Sequence, residues 1–254
     1  MRAIISSVGL VLVLTACGGA VSTNSGGQPS TRVATPTPTP TPTPVKVKVT
    51  GPNVSGCFTE EDGKIFAHGA DDLPGVITGS GSVGVVITYE RGGNVCSWRP
   101  LSDRLVAAGY RVLLYARKSE LPADDVALAM AKRLGKEKGV KRVWLVGGSI
   151  GATASVPTAE RLGARAAGVV ALSGAIDPQD AAKLTVPLLQ IGTENDGYGG
   201  ADDLRAAHDA ATRTPDRQLH LIKAESMHAS ELFRSRYAPD VLERILAFMA
   251  RHQA

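Results

Sequence analysis

A serine lies at the centre of the segment that carries the clearest chemical signal in this sequence. Residues 147–151 read Gly-Gly-Ser-Ile-Gly, which fits the pattern G-x-S-x-G. An apolar run typical of a buried strand precedes them at 142–146, and a helical pattern follows at 152–162. A sharp turn there would expose the Ser149 hydroxyl and direct the free N–H groups of a helix start at a developing oxyanion. The pattern predicts a nucleophilic Ser149; the alternative is an ordinary serine in a glycine-rich turn.

A serine hydroxyl is a weak nucleophile that needs a general base, and the base needs an orienting carboxylate. His228 follows the last predicted strand and Asp196 follows the strand before it, so the chain order is serine, aspartate, histidine. Glu194 competes with Asp196 because both lie in one loop, and Asp177 is a third choice for the acid. The remaining histidines are weaker candidates for the base: His68, His208, His220 and His252.

The elements that must position these groups alternate between strands and helices. Buried or apolar strands are predicted at 84–89, 111–115, 142–146, 168–172 and 187–191, a last strand at 218–223, and helices at 100–108, 123–138, 152–162, 201–211 and 239–252. Shorter strand candidates lie at 57–66 and 76–79, and 45–49 is a first strand or the end of a linker. This alternation predicts an α/β fold, a three-layer α/β/α sandwich around a mostly parallel sheet. Ligands bind at the carboxyl ends of such strands.

Residues 57–254 resemble an α/β-hydrolase, because the serine turn, the acid and the histidine follow the strands in that family's order. The resemblance implies that Ser149 is the nucleophile, His228 the general base and then acid, and Asp196 the orienting acid. It further implies attack on a carbonyl, an acyl-serine intermediate and hydrolysis by water. Only residues 173–186 separate two strands where many lipases insert a lid, so we expect the fold without a lid domain and an open, shallow site.

The second oxyanion donor is where the sequence departs from the family. The resemblance gives the backbone N–H groups of Ile150 and Arg91 as donors. Hydrolases of this fold often carry His-Gly before the second donor, whereas this chain has Tyr89 and Glu90. Glu90 could pair harmlessly with Arg91 or Arg99, repel an oxyanion, or mark a different substrate.

The N-terminus predicts export. A charged start precedes an apolar run at 3–14, too short to span a bilayer, and residues 14–17 read Leu-Thr-Ala-Cys. This ending resembles the lipobox of bacterial lipoproteins, which implies a signal peptide at 1–16 and lipidation of Cys17. The alternative is a plain secretory signal. Residues 17–44 are Gly/Ser-rich and then alternate Thr with Pro, which predicts a disordered tether between the membrane and a hydrolase domain at 45–254.

The cysteine count follows from that assignment. The chain has 3 cysteines, so lipidation of Cys17 leaves Cys57 and Cys96 as an even pair in an oxidising compartment. We expect a disulfide between them; the alternative is two buried free thiols.

Composition limits the partners. The net charge is only +4 and the basic residues are dispersed, so no nucleic-acid partner is expected. There is no metal-ligand spacing, and the chemistry of the fold needs neither metal nor other cofactor. Aromatic residues make up 4% of the chain, which argues against a deep acyl channel. A small or medium ester, or an ester or amide of an envelope polymer, is the favoured substrate.

These inferences predict a lipid-anchored serine hydrolase, carboxylesterase-like, that acts outside the cytoplasmic membrane. One alternative is an acyltransferase on the same fold, with an alcohol in place of water. Another is a binding lipoprotein that kept the triad but lost the oxyanion hole, as the Tyr89-Glu90 pair would suggest. The sequence gives neither the oligomeric state nor the membrane that carries the anchor.

Overall fold

The structure is a computed structural model that describes residues 56–253. The signal peptide at 1–16, the tether at 17–44 with Cys17, and the strand candidate at 45–49 lie outside the described residues and stay predictions.

A single eight-stranded sheet organises the described residues, in the order β1-β2-β4-β3-β5-β6-β7-β8. Its strands are β1 Gly63–His68, β2 Leu73–Thr78, β3 Val83–Thr88, β4 Arg111–Tyr115, β5 Arg142–Gly148, β6 Ala166–Leu172, β7 Leu188–Thr193 and β8 Arg217–Ile222. β2 pairs antiparallel with β1 and with β4, whereas every pairing from β4 to β8 is parallel. The mostly parallel sheet predicted from the sequence is therefore confirmed.

Helices cover both faces of this sheet. Within the described residues they are α1 Arg99–Ala107, α2 Ala123–Leu134, α3 Ile150–Leu162, α4 Pro178–Ala181, α5 Ala201–Ala210 and α6 Ala238–Arg251. Helices α1 and α6 pack into one hydrophobic cluster, and α2 to α5 pack into the other. The result is the expected three-layer sandwich. No helix in this part of the chain has the length and apolar character needed to cross a membrane.

The central strands read as continuous apolar runs because both of their faces are buried. In β5, Trp144 and Val146 point into the cluster beneath α1 and α6, whereas Val143 and Leu145 point into the opposite cluster. All residues of β6 are buried. This two-sided burial is typical of parallel strands between helical layers.

Three boundaries or connections show how local interactions refine the sequence pattern. Helix α2 ends at Leu134, not at 138, because Gly135 caps it and the Gly135 carbonyl accepts a 2.7 Å hydrogen bond from Arg165. β1 begins at Gly63, because the preceding residues form a turn in which Asp62 accepts from the Thr59 N–H. Between β6 and β7 the chain forms only the 4-residue helix α4, as expected for a fold without a lid.

Cys57 and Cys96 form a disulfide with a Cα–Cα distance of 5.7 Å, as predicted. The bond ties the segment before β1 to the segment between β3 and α1. Arg99 reinforces the same junction, since it binds the Cys57 carbonyl and forms a 2.6 Å ion pair with Asp62. The disulfide and the contacts of Arg99 together fix the segment that follows β3.

Candidate active site

Ser149 lies in a strained turn between β5 and α3. Its backbone has φ 55° and ψ −122°, in a region that side-chain-bearing residues rarely adopt, at a cost of roughly 1–3 kcal/mol. The Ser149 N–H donates to the Leu172 carbonyl at 2.9 Å, and the Ser149 carbonyl accepts from Thr153 in the first turn of the helix. The strain is maintained by bonds on both sides of the residue, which is the geometry expected of a nucleophile elbow.

The glycines around Ser149 let strand and helix approach closely. A Cβ at Gly147 would overlap the backbone of Gly151, and a Cβ at Gly151 would overlap the Thr88 carbonyl at the end of β3. Thr88 is itself fixed, because its hydroxyl and the Tyr115 hydroxyl lie 2.8 Å apart in a hydrogen bond. Burial raises the pKa of the Tyr115 phenol well above its ordinary value, so this phenol stays protonated.

His228 and Asp196 form a hydrogen-bonded pair at the carboxyl ends of β8 and β7. His228 Nδ1 lies 2.8 Å from Asp196 Oδ2, which leaves the His228 Nε2 atom free of this pairing. The other carboxylate oxygen of Asp196 accepts from the Tyr198 N–H at 3.1 Å. The Asp196 side chain is 5% exposed and that of His228 is 30% exposed. A buried carboxylate thus orients an imidazole that is open to solvent.

The two alternative acids have other partners. Glu194 Oε2 accepts from the Ala224 N–H at 2.9 Å and so closes the loop after β8. Asp177 caps α4 by accepting from the Gln179 N–H at 2.7 Å. Neither carboxylate forms a hydrogen bond with His228 among the described residues, and only Asp196 has the geometry of an orienting acid.

The remaining histidines lie in structural settings. His208, His220 and His252 contact Asp209, Asp240 and Asp216, respectively. His68 packs edge-on against Tyr115, with ring centroids 5.7 Å apart. His208, His220 and His252 are thus each paired with a carboxylate other than Asp196.

Two hydroxyl groups hold the loop that carries His228, and the sequence did not single them out. Ser173, directly after β6, accepts from the Ala229 N–H at 3.0 Å, and Thr193, at the end of β7, donates to the Met227 carbonyl at 2.8 Å. Both neighbours of His228 are therefore anchored to adjacent strand ends. The signal available in the sequence was a hydroxyl residue at the end of each apolar run.

The His228 loop also borders the serine turn. A Cβ at Gly148 would lie 2.8 Å from the Ala229 side chain, so the residues that precede Ser149 and follow His228 are in close contact. The fold brings the two segments together from positions far apart in the chain. Hydrogen bonding links His228 to Asp196, and this packing links the His228 loop to the serine turn.

The two expected oxyanion donors lie on neighbouring elements. Ile150 is the first residue of α3, where an N–H group has no acceptor within the helix. Arg91 is exposed, in a turn closed by a 3.2 Å hydrogen bond from the Gly93 N–H to the Glu90 carbonyl. Their role toward an oxyanion stays a prediction.

The pairing suggested for Glu90 with Arg91 or Arg99 is wrong. The Glu90 carboxylate accepts from Trp98 Nε1 at 2.7 Å and from the Ser230 hydroxyl. Arg99 instead binds Asp62 and the Cys57 carbonyl at the disulfide. Glu90 thus takes partners from inside the molecule, because the turn that follows it folds back over its side chain.

An exposed aromatic ring borders His228. Tyr198 is 42% exposed, and its ring lies edge-on to the imidazole with centroids 6.1 Å apart. Ser149 itself is 7% exposed. Among residues 56–253 no group of three or more His, Cys, Asp or Glu side chains is arranged to hold a metal ion.

Comparison with known proteins gives likeness in structure only. No family model matches the sequence, and no curated protein matches it. An esterase from Pyrococcus furiosus has a similar structure, with a TM-score of 0.66 and 15% identity over 78% of this chain and 96% of that one. A monoacylglycerol lipase from Paleococcus ferrophilus has a TM-score of 0.60 and 14% identity, and covers 70% of this chain and 98% of its own.

A third solved structure with the same arrangement is a bromoperoxidase from Bacillus anthracis. Its TM-score is 0.57 at 16% identity, over 74% of this chain and 99% of that one. Identities this low show a shared fold and do not show a shared chemistry. With its strand order, its two helical layers and these structural neighbours, the chain has the α/β-hydrolase fold.

Proposed function

We propose that this protein is a serine hydrolase that cleaves small or medium carboxylic esters through an acyl-serine intermediate. The observation that carries the proposal is the strained Ser149 turn, combined with a hydrogen-bonded His228–Asp196 pair on the loops after the last two strands. Strain of this kind persists only where the surrounding structure enforces it, and it concentrates at functional sites.

Acylation uses each of these groups once. Ser149 Oγ attacks the ester carbonyl while His228 Nε2 accepts its proton, and Asp196 stabilises the imidazolium through Nδ1. The Ile150 and Arg91 N–H groups donate to the oxyanion of the tetrahedral intermediate. Collapse breaks the bond to the alcohol oxygen, which takes the proton from His228. The products are a free alcohol and acyl-Ser149.

Deacylation repeats the sequence with water. His228 removes a proton from water, the resulting hydroxide attacks the acyl carbonyl, and His228 returns the proton to Ser149 as the acid leaves. All atoms and charges balance without a cofactor. Because His228 is partly exposed, water reaches the position that the alcohol vacates.

The test is covalent labelling with a fluorophosphonate beside turnover of p-nitrophenyl acetate. An activated Ser149 should give one phosphonylated serine and loss of turnover in proportion to labelling. A folded protein that is neither labelled nor active would contradict the proposal and favour a binding protein. With an added alcohol, an excess of new ester over free acid would make the protein an acyltransferase.

Tyr198 is expected to contact the alcohol part of the substrate, because His228 delivers its proton to the leaving alcohol and Tyr198 borders His228. An aromatic contact contributes about 0.5–1.5 kcal/mol. Tyr198→Ala should therefore raise KM for phenyl acetate roughly 2- to 12-fold. The effect on ethyl acetate should be smaller, because ethanol has no ring.

Leu121→Ala is the matched control for this change. Leu121 is 46% exposed, similar to Tyr198, but lies in a different loop, directly before α2. It should leave both KM values unchanged. An equal change of KM for the phenyl and ethyl esters in Tyr198→Ala would refute the assignment to the alcohol side.

We further propose that the chain is exported and anchored by a lipid on Cys17. Anchoring by acyl chains contributes about 0.8 kcal/mol for each buried CH₂ group. The full chain carrying Cys17→Ser should move from the membrane fraction to the soluble fraction, with esterase activity per mole unchanged. Fractionation followed by immunoblotting checks this, and retention of the variant on membranes would contradict lipidation.

A further inference from the structure

Glu90 joins two segments that carry different parts of the site. It lies directly before Arg91, on the segment between β3 and α1. Its carboxylate accepts a 2.7 Å hydrogen bond from Trp98 Nε1 on the same segment, and a second from the hydroxyl of Ser230. Ser230 is two residues after His228. One side chain therefore spans from the segment of the expected oxyanion donor to the loop of the expected base.

The surroundings of the carboxylate are fitted to a glutamate. Trp98 is fully buried and Ser230 is 6% exposed, so both donors are largely shielded from water. A Cβ at Gly93 would lie 2.6 Å from Glu90 Oε1, so the turn packs closely against this side chain. Hydrogen bonds to a charged acceptor contribute more to stability than hydrogen bonds between neutral groups.

Trp98 extends the connection to the serine turn. A Cβ at Gly148 would lie 2.5 Å from Trp98 Cζ2, so the indole packs directly against the residue before Ser149. On its other side the indole meets Phe233 edge-on, with centroids 5.2 Å apart. Glu90 thus fixes the orientation of an indole that also packs against the serine turn.

We propose that Glu90 is a positioning residue, whose bonds to Trp98 and Ser230 hold the oxyanion segment and the His228 loop in register at Ser149. This inference rests on the proposed function for its effect on catalysis. Placement errors of about 1 Å lower rates by as much as roughly 100-fold. The glutamate found where related folds often carry glycine is then a structural bridge between loops.

The competing explanation is electrostatic. A carboxylate close to an oxyanion would repel it, so removal of the charge would speed the reaction. If Glu90 acts as a bridge, replacing it by alanine or glycine should lower kcat. If its charge repels the oxyanion, the same replacements should raise kcat. Glu90→Gln is informative because the amide oxygen can accept from Trp98 while the amide nitrogen donates to the Ser230 oxygen, which preserves the bridge without the charge.

The experiment measures kcat and KM for p-nitrophenyl acetate, with kcat counted per fluorophosphonate-labelled serine. We expect Glu90→Gln to stay within about threefold of the parent, and Glu90→Ala and Glu90→Gly to lose roughly 10- to 100-fold in kcat at nearly unchanged KM. Ser230→Ala should lower kcat about 10-fold. When Ser230→Ala is combined with Glu90→Gln, the glutamine should no longer maintain kcat, because the two residues share one interaction. A rise in kcat of more than about threefold in Glu90→Gln, any rise in Glu90→Gly, or an unchanged kcat in Glu90→Ala would overturn the proposal.

Asp216→Ala controls for a general loss of stability. Its carboxylate accepts a 2.9 Å hydrogen bond from His252 near the amino end of β8, whereas the site lies at the carboxyl ends of the strands. This variant should unfold at lower urea concentration but keep kcat per labelled serine. If Asp216→Ala loses as much kcat as Glu90→Ala, Glu90 acts on kcat only through the stability of the fold.

A spectroscopic signal tests the bridge without turnover. In a proton NMR spectrum, the His228 Nδ1 proton shared with Asp196 should give a low-field resonance. The resonance of the Trp98 indole N–H should be shifted by its hydrogen bond to the carboxylate. Glu90→Ala should shift or broaden both, whereas an unchanged His228 resonance would contradict the bridge. A wild-type protein with these signals but no labelling would reject the proposed function while leaving the bridge supported.

Discussion

Replacement of Ser149 by alanine should abolish ester hydrolysis, with kcat lowered by roughly 10⁴- to 10⁶-fold, and should eliminate fluorophosphonate labelling. The reason is that the acyl-enzyme route needs the serine oxygen, and the rest of the site then offers only oriented donors to an uncatalysed attack by water. Turnover of p-nitrophenyl acetate and mass spectrometry of the labelled chain measure both effects. Activity above about 1% of wild type in Ser149→Ala would place the nucleophile elsewhere.

The backbone of Ser149 supplies a second readout. Alanine keeps the Cβ, so it retains the strain at φ 55°, whereas glycine adopts this conformation without strain. Ser149→Gly should therefore be more stable than Ser149→Ala by about 1 kcal/mol, while both are inactive. Ser102→Ala, at a buried serine of α1, is the matched control and should keep full activity.

Replacement of Asp196 by asparagine should lower kcat by roughly 10³- to 10⁴-fold with the fold intact. Asparagine can occupy the same space, but its amide favours the wrong imidazole tautomer and gives no charge to stabilise the imidazolium. The 2.8 Å contact with His228 Nδ1 is the geometric basis of this expectation. Rates of p-nitrophenyl acetate turnover and of phosphonylation should fall together, because both need proton removal from Ser149.

Glu194→Gln is the control that separates the two carboxylates of this loop. Its bond to the Ala224 N–H can be kept by the amide oxygen, so kcat should stay within a few-fold of wild type. A larger loss in Glu194→Gln than in Asp196→Asn would identify Glu194 as the orienting acid and reverse the assignment made from the structure.

The serine turn and the alternation of elements followed from local patterns in the sequence. Strands β3 to β7 read as apolar runs because both of their faces are covered, and Gly147 is required by its contact with Gly151 within one strand–turn–helix unit. The end of α2 was predicted four residues too late, since Gly135 caps the helix after Leu134 and its carbonyl accepts from Arg165 of another segment. Patterns therefore located the elements well, whereas the exact start of β1 and the exact end of α2 were missed.

The candidate site divides in the same way. Ser149 and His228 were predicted as site residues because each follows a recognisable strand, and Asp196 was one of several acids in suitable places. The choice of Asp196 over Glu194 required the directions of their side chains, which lie only two residues apart in one loop. The partners of Glu90 came from a residue 140 positions along the chain and from an indole, and no local pattern contains that pairing.

By itself, the sequence determined the strained serine turn, the strands that the candidate acid and base follow, and the cysteine pair, since burial, turn strain and residue type leave periodic or local traces. The tertiary structure alone decided which carboxylate meets His228, which hydroxyls of Ser173 and Thr193 hold its loop, and how Glu90 is engaged. The physical reason is that hydrogen bonds between loops act over a few ångströms and join residues far apart in the chain. Their partners are fixed only when the sheet brings the strand ends together.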